Sequence, residues 1–350
     1  MHIASCALFE GPPPDYRDLV DLFASKVALV PRYRQRARFV PMDLGRPVWV
    51  DDSNFDLEYH LRHTALPPPG EEDDLQCLMG RLMSQELDRS RPLWEEWIVE
   101  GLEGDRWAII SKVHHCMVDG VAGVDLISVV LDATPDRAPT DPDHWNPEPE
   151  PSSLRLAVDA VANLVTSPRE QLQAVGAAAV SPRIPDNRVS AIFFDLPVQV
   201  GDPLERLTAV REEMGRLKQS HEPEAGQALT ALVATIPPAL AAQTTRLAAR
   251  LLTRVQQRSM NTVTTNVPGP LQPLYAAGRE MIEYLPFVPL GPGVLIGVAI
   301  LSYNGRLAFG VTGDFDTATD ISVVADGIEA EIATLMALAT APMKPVDQSS

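Results

Sequence analysis

Apolar and polar positions follow two different periods along the first half of this chain. Short apolar runs, the pattern of buried strands, predict strands at 3–9, 94–99 and 107–113. Apolar residues spaced three and four apart predict helices at 16–29, 71–87 and 121–131. Two further segments, 47–50 and 56–61, are expected to be extended. Strands interleaved with helices indicate an α/β fold.

The second half shows the same alternation. Helical spacing predicts helices at 154–180, 203–218, 228–258 (kinked at Pro237 and Pro238) and 321–338. Strands are predicted at 188–198, 263–267, 278–285, 293–302 and 306–312. Between the two halves, residues 133–153 contain six prolines and five acidic residues and offer little to bury. We expect an extended, exposed linker there.

Composition and charge narrow the classes of function. The chain has 350 residues, of which 45% are apolar and 22% charged, values typical of globular proteins. Its net charge of −18 excludes a general nucleic-acid binder, because such proteins need clustered lysine and arginine. A small anionic substrate stays open, since a local basic pocket can outweigh the net charge.

Cysteine usage and hydropathy indicate the compartment. Three cysteines lie far apart, so neither a disulfide framework nor a zinc knuckle is expected, and a reducing cytoplasm fits best. No apolar run approaches the roughly 20 residues that span a bilayer. The N-terminus lacks the basic and long apolar regions of a signal peptide. It reads as a strand from the outset, and we expect that an upstream piece is absent.

The most informative motif is HHCMVDG, residues 114–120, between an apolar strand and an apolar helix. Neighbouring side chains on a strand point to opposite faces, so one histidine can act as a base in a cleft while the other packs. Asp119 could cap the helix or pair with an arginine. Two polar residues decorating a loop are the alternative. Cys116 could be a nucleophile, but the favoured interpretation is that Cys116 is a small residue that fills the turn.

Motifs for other chemistries are missing from the sequence. There is no GxSxG nucleophile turn and no GxxxxGK[ST] phosphate loop. The glycines at 291, 293 and 297 do not have dinucleotide-binding spacing, which disfavours a nicotinamide cofactor. A metal site is disfavoured as well, because adjacent histidines on a strand cannot both reach one ion and HxH, HExxH and CxxC sets are absent.

Five motifs in order carry a family resemblance: RPLW (91–94), HHCMVDG (114–120), TNVPGP (265–270), QPLYAAG (272–278) and LSYNG (301–305). With them, the chain resembles the bacterial wax ester synthase/diacylglycerol acyltransferase family along nearly its whole length. HHxxxDG alone is shared with carnitine-type, chloramphenicol-type and peptide-condensation acyltransferases. The other motifs favour the lipid-forming branch, and the lack of flanking carrier-protein modules disfavours peptide condensation.

The resemblance implies an α/β fold of two chloramphenicol-acetyltransferase-like domains, each a mixed sheet with helices, with the active site at their interface. The implied division is an N-terminal domain at 1–132, the linker at 133–153, a C-terminal domain at 154–342 and a tail at 343–350. A fatty acyl-CoA is the implied donor substrate, with diacylglycerol or a long-chain alcohol as acceptor. No cofactor and no nucleic acid are implied.

The resemblance also assigns roles to residues. His115 is the implied general base that removes the acceptor's hydroxyl proton, and a neutral imidazole suits that task at pH 7. His114 and Asp119 then hold the loop. Asn266, Gly120 and Trp94 are candidates for substrate binding, although PLW and NVPGP are also readily explained as a buried strand entry and a rigid turn.

The chain departs from the family pattern in two places. An Asn-Asp motif that opens a helix, followed by a strand, is not found early in the second domain, and the segment before the first strand is missing. We therefore expect an internal deletion, an incomplete C-terminal domain and an open sheet edge. An open cleft would admit water and lower transfer. The alternative function is a catalytically impaired relative that binds lipid or CoA.

Two arginine rows leave alternatives open. Arg246, Arg250, Arg254 and Arg258 make a basic stripe on a predicted helix. It is either a solvated face or an interfacial helix that attaches the protein peripherally to the inner face of a membrane or to a lipid droplet. Arg32, Arg34, Arg36 and Arg38 would share one face of an extended segment. They could attract CoA phosphates or guard an edge strand with charge.

Overall fold

A computed structural model describes residues 2–117, 129–136, 143, 145–166, 194–219, 261–291 and 293–340. Within them, a six-stranded sheet has the order β4-β5-β6-β1-β9-β8. Its strands are β1 (His2–Glu10), β4 (Leu61–Ala65), β5 (Trp94–Leu102), β6 (Arg106–His114), β8 (Tyr275–Ala276) and β9 (Arg279–Phe287). The central strand β1 is antiparallel to both β6 and β9, while β4 and β5 are parallel.

Helices cover both faces of this sheet. Helix α1 (Tyr16–Val27) packs on one face, where Phe9 and Trp107 stack with ring centroids 4.4 Å apart. Helix α3 (Glu72–Ser84) packs on the other face against alternate strand residues such as Leu8 and Ile110. Each large apolar side chain buried here contributes roughly 1.5–3 kcal/mol relative to exposure. A strand buried on both faces is apolar at most positions, which explains the nearly continuous apolar runs.

Smaller elements flank the first sheet. Strands β2 (Gln35–Arg38) and β3 (Val48–Asp51) form an antiparallel pair, and the single helical turn α2 (Leu57–His60) leads directly into β4. The Asp56 side chain caps this turn by accepting from the Glu58 N–H at 3.1 Å. The expectation that 56–61 is extended is therefore wrong, because this cap starts a helical turn.

The second sheet has the order β11-β10-β7 in the described part of the chain. It comprises β7 (Thr262–Pro268), β10 (Ile296–Tyr303), which is parallel to β7, and β11 (Arg306–Gly313). The Tyr303 hydroxyl joins this sheet to β9 by donating to the Met281 carbonyl at 2.8 Å. Gly310 lies so close to the Pro286 carbonyl that a Cβ there would overlap it.

Three more helices are described, namely α4 (Ser153–Thr166), α5 (Pro203–Gln219) and α6 (Ile321–Thr340). An ion pair of 2.6 Å between Arg206 and Glu331 joins α5 to α6. Helix α6 buries none of its side chains, and Val323 and Met336 are 65% and 64% exposed. None of the described helices is both long enough and apolar enough to cross a membrane.

Most of the other predicted strands and helices are present in the described part of the chain. The strands and helices predicted at 3–9, 16–29, 71–87, 94–99, 107–113, 203–218 and 321–338, and the four strands between 263 and 312, are confirmed within a few residues. Residues 194–198 are not a strand, and 167–193, 220–260 and most of 121–131 lie outside the described residues. The domain division stays a prediction, but β8 and β9 join the sheet of the N-terminal half across it.

The linker follows a defined path where it is described. Its residues 143 and 145–153, which we call the acidic strap, lie along β2 and the residue that precedes it, Arg34. Asp143 pairs with Arg34, and Glu150 pairs with Arg36 at 2.7 Å and Arg38 at 2.9 Å. The row formed by these three arginines therefore binds the chain's own linker, an outcome that neither sequence alternative anticipated.

Candidate active site at the end of strand β6

The two histidines lie where sequence analysis predicted, at the end of a strand. Strand β6 ends at His114, and His115–Met117 form a tight helical turn. Met117 is buried in the core and anchors this turn, while both histidines are half-buried. Strand ends at such turns commonly present functional side chains, because the strand fixes the position of the loop.

His114 is held by the turn. Its Nδ1 accepts from the Cys116 N–H at 3.3 Å and lies 2.9 Å from Cys116 Sγ. Burial is the main cause that lowers the pKa of His114 to about 4, and the positive charge of Arg89 contributes to the same shift. His114 is therefore neutral at pH 7 with its proton on Nε2. This geometry suits a residue that shapes the loop.

His115 begins the turn on the next position of the chain and keeps part of its surface exposed. The rest of the motif, including Asp119 and Gly120, lies outside the described residues, so the roles predicted for those two residues stay predictions. A half-buried imidazole next to a structurally fixed one can exchange protons with a bound hydroxyl if substrate reaches it.

The RPLW motif lies beside the histidines. The Leu93 carbonyl accepts from the His114 N–H at 2.9 Å, and Trp94 pairs with Val113 in the sheet. The Trp94 indole is fully buried and donates to the Tyr33 carbonyl at 2.8 Å. This placement matches the structural explanation of PLW, a buried strand entry, and the substrate-binding role of Trp94 stays a prediction.

The three motifs of the second half meet around the end of β10. Asn266 is exposed on β7, opposite Ile300 of β10 and on a different sheet from the histidines. A Cβ at Gly269 would overlap the Ser302 carbonyl, so the NVPGP turn requires glycine there. Tyr303, in LSYNG, accepts from the Leu274 N–H of QPLYAAG at 2.9 Å. The rigid-turn explanation of NVPGP agrees with these contacts.

Two charged residues that join separate elements of the fold were not identified from the sequence. Asp132 forms an ion pair of 2.7 Å with Lys26 of α1, and its backbone exchanges two hydrogen bonds of 2.8 Å with Tyr275. Lys112 is buried on β6 and donates to the carbonyls of Leu82 and Gln85 at the end of α3. Lys112 could have been noticed in the sequence, because it interrupts the apolar run WAIISKV. Nothing in the local sequence marks Asp132.

The sequence matches a known protein family over most of its length. Residues 1–267 match the family model described as the wax ester synthase/diacylglycerol acyltransferase catalytic domain. A Mycobacterium tuberculosis protein named as the diacylglycerol O-acyltransferase tgs1 is 31% identical, with 96% of this chain and 91% of that protein covered. A second M. tuberculosis protein named as a diacylglycerol O-acyltransferase is 29% identical, with 96% of this chain and 86% of that protein covered.

A solved structure resembles the whole chain. It is the wax ester synthase/diacylglycerol acyltransferase from Marinobacter aquaeolei VT8, with a TM-score of 0.66, 26% identity, and 97% and 95% of the two chains covered. The alignment with tgs1 extends over 426 positions. Because 96% of this chain is only about 336 residues, about 90 residues of that relative have no counterpart here.

Proposed function

The chain belongs to the wax ester synthase/diacylglycerol acyltransferase family, and from that premise we propose that it moves a fatty acyl group from acyl-CoA to a hydroxyl acceptor. The acceptor is diacylglycerol, which gives triacylglycerol, or a long-chain alcohol, which gives a wax ester. The names of the mycobacterial relatives favour diacylglycerol. Acyl-CoA is a consumed substrate in this reaction, and no cofactor takes part in it.

The observation that carries the proposal is the unequal pair of histidines at the end of β6. His114 is committed to the turn through the Cys116 N–H and is neutral at pH 7, because burial lowers its pKa to about 4. The adjacent His115 begins the turn and is half-buried. We therefore assign proton transfer to His115 and positioning to His114.

The reaction would proceed through a tetrahedral intermediate. The neutral imidazole of His115 takes the acceptor's hydroxyl proton while that oxygen attacks the thioester carbonyl carbon. When the intermediate collapses, the carbon–sulfur bond breaks, His115 returns its proton to the CoA sulfur, and the ester is released. Base catalysis of this kind contributes roughly 10²–10⁴-fold in rate, and the remainder must come from positioning.

The other candidate residues receive supporting roles in this proposal. We assign Asp119 to structural support of the motif and Gly120 to substrate binding. Asn266 is assigned to substrate binding from the second sheet. Trp94 is assigned to shaping the site from the core, because its side chain is fully buried. The acceptors are lipids, so we place the reaction on the cytoplasmic face of a membrane or on a lipid droplet. The arginine stripe at 246–258, which would provide that attachment, lies outside the described residues.

A second candidate function is binding of lipid or CoA without turnover. It is favoured by the roughly 90 residues of tgs1 that have no counterpart in this chain. It is also favoured by helix α6, an apolar helix whose side chains are not buried by the described part of the chain. Loss of a wall of the substrate tunnel would leave binding surfaces in place but expose the thioester to water.

Both candidates are tested by incubating the purified chain with radiolabelled acyl-CoA and either diacylglycerol or hexadecanol, with the tgs1 relative as positive control. We expect labelled triacylglycerol, and a His115→Ala variant that loses at least 100-fold in rate. The control is His63→Ala, which removes a histidine from β4, where it contacts Glu100. Activity within a few-fold of the parent in His115→Ala would refute the base assignment. Saturable acyl-CoA binding without any labelled product would establish the second candidate.

A further inference from the structure

A cavity of about 290 Å³ lies between helix α1 and the acidic strap. Among the described residues that line it, most are apolar, and three carry polar side chains, namely Ser25, Arg34 and Asp143. The Ser25 hydroxyl is already used, because it donates to the Leu22 carbonyl at 2.6 Å. No described residue of the HHxxxDG motif lines this cavity.

Arg34 is the unusual member of the lining. Its side chain is only 8% exposed, and its guanidinium carbon lies 5.0 Å from the Trp145 ring. The buried Nε–H has no hydrogen-bond partner among the described residues, although one Nη pairs with Asp143. A buried guanidinium normally uses its donors in a bidentate fork, so this one is only partly satisfied.

Asp143 is a replaceable counter-ion. Its side chain is 38% exposed, its second oxygen accepts from the Trp145 N–H at 3.0 Å, and it forms no hydrogen bond with Nε of Arg34. The strap has independent anchors, since Glu150 binds Arg36 and Arg38. Asp143 could therefore move into solvent without release of the whole strap.

We propose that this cavity binds a medium-chain fatty carboxylate. The carboxylate forms a bidentate pair with Nε and Nη of Arg34, displaces Asp143, and lays its chain against Ala24, Phe55 and Leu57. The volume is at the lower limit of ligand pockets and holds roughly ten methylene-sized groups at about 30 Å³ each. The proposal needs no acyl transfer and stands independently of the proposed function.

An amphiphile fits better than a free phosphate. Inorganic phosphate would satisfy the arginine but leave the apolar wall in contact with water, whereas an alkyl chain removes that surface from solvent. A neutral amphiphile such as decanol would fill the cavity but could not replace the charge of Asp143, so the buried guanidinium would lose its counter-ion or keep Asp143 in place.

Isothermal titration calorimetry on the full chain tests the site with decanoate, decanol and inorganic phosphate. We expect saturable binding of decanoate, at least ten-fold weaker binding of decanol and phosphate, and a ten- to 100-fold loss in Arg34→Met. The matched control is Arg36→Met, which removes a nearby arginine that also pairs with the strap but does not line the cavity. Asp143→Asn should bind decanoate more tightly, because it weakens the competing ion pair.

Two variants that keep Arg34 show whether a loss of binding in Arg34→Met comes from misfolding. Ala28→Trp fills the cavity from α1 and should abolish decanoate binding with Arg34 intact. Asp143→Asn changes a residue on the exposed strap, so tighter binding there cannot come from unfolding. Decanoate binding that is unchanged in both Arg34→Met and Ala28→Trp would overturn the site. Phosphate binding as tight as decanoate binding would overturn the assigned ligand class.

Discussion

Adjacent histidines at the end of β6 have different surroundings although they are the same residue type. His114 contacts its own turn through Nδ1, whereas His115 starts the turn and retains exposed surface. A positioning residue acts through the loop that it holds, so its loss should disturb geometry without removing the base. Substitution of each histidine in turn therefore separates the two roles.

We expect His114→Ala to lower acyl transfer by about ten-fold, less than the loss in His115→Ala, because misplacing a base costs less than deleting it. Cys116→Ala should stay within a few-fold of the parent, since its thiol contacts His114 rather than taking part in the chemistry. The measurement is the pH profile of kcat/KM for each variant. An inactive Cys116→Ala that remains folded would favour a thiol nucleophile and contradict this assignment.

His60 gives a prediction about stability. It is fully buried, its Nδ1 donates to the Trp94 carbonyl at 2.8 Å, and burial lowers its pKa to about 4. Because the unfolded chain has a histidine pKa near 6.5, unfolding takes up a proton, and the free energy of unfolding falls as the pH drops from 6.5 towards 4. The contribution of His60 over that range is on the order of 3 kcal/mol.

His60→Asn keeps a side-chain N–H near the Trp94 carbonyl but cannot titrate. We expect this variant to be less stable at pH 7, because it loses the ring stacking on Trp94, and to show a shallower decline towards pH 4. Urea unfolding at several pH values measures both effects, with the more exposed His63→Asn as the control. Equal pH slopes in His60→Asn and the parent would contradict the buried neutral state.

At the scale of elements, the contact between β11 and β9 joins the two sheets. We expect Gly310→Ala to destabilise the chain by about 1–3 kcal/mol, because the new Cβ would overlap the Pro286 carbonyl and force the strands apart. Gly80→Ala is the matched control on α3, where nothing lies within 4 Å of the added Cβ. It should stabilise the chain by up to about 1 kcal/mol through helix propensity. Thermal unfolding distinguishes the two substitutions.

Elements with a clear period could be predicted from the sequence, and those set by long-range contacts could not. Strands β1 and β6 are apolar on both faces and α1 has one apolar stripe, so local pattern was sufficient for them. The turn α2 depends on one cap, and β8 depends on pairing with β9. The site could be predicted as far as the strand end that carries His114 and His115. Asp132 was missed, because its partners Lys26 and Tyr275 lie far away in sequence.

At the scale of the whole molecule, the roughly 90 residues of tgs1 without a counterpart here should affect both activity and association. We expect the chain to transfer acyl groups more slowly than tgs1 and to hydrolyse a larger share of its acyl-CoA, because an open cleft admits water. It should also self-associate as its concentration rises, since side chains such as Val323 and Met336 on α6 are exposed.

Free CoA and labelled ester measured in the same reaction give the ratio of hydrolysis to transfer, and sedimentation velocity over a concentration series gives association. The tgs1 relative is the reference for both measurements. A chain that sediments as a monomer at every concentration and transfers as efficiently as tgs1 would contradict the open-cleft prediction.

The place of β9 in the first sheet also bears on the order of events during synthesis. Strand β1 starts at residue 2, but its neighbour β9 ends at Phe287. A nascent chain that has just exposed His115 to solvent thus carries β1 with one unpaired edge until some 170 more residues have been made. At about 5–20 residues per second, that delay is roughly 10–35 seconds. During that delay, the turn that carries His115 is attached to an incomplete sheet. The unpaired edge of β1 can pair with other chains, and ribosome-associated chaperones are suited to prevent this.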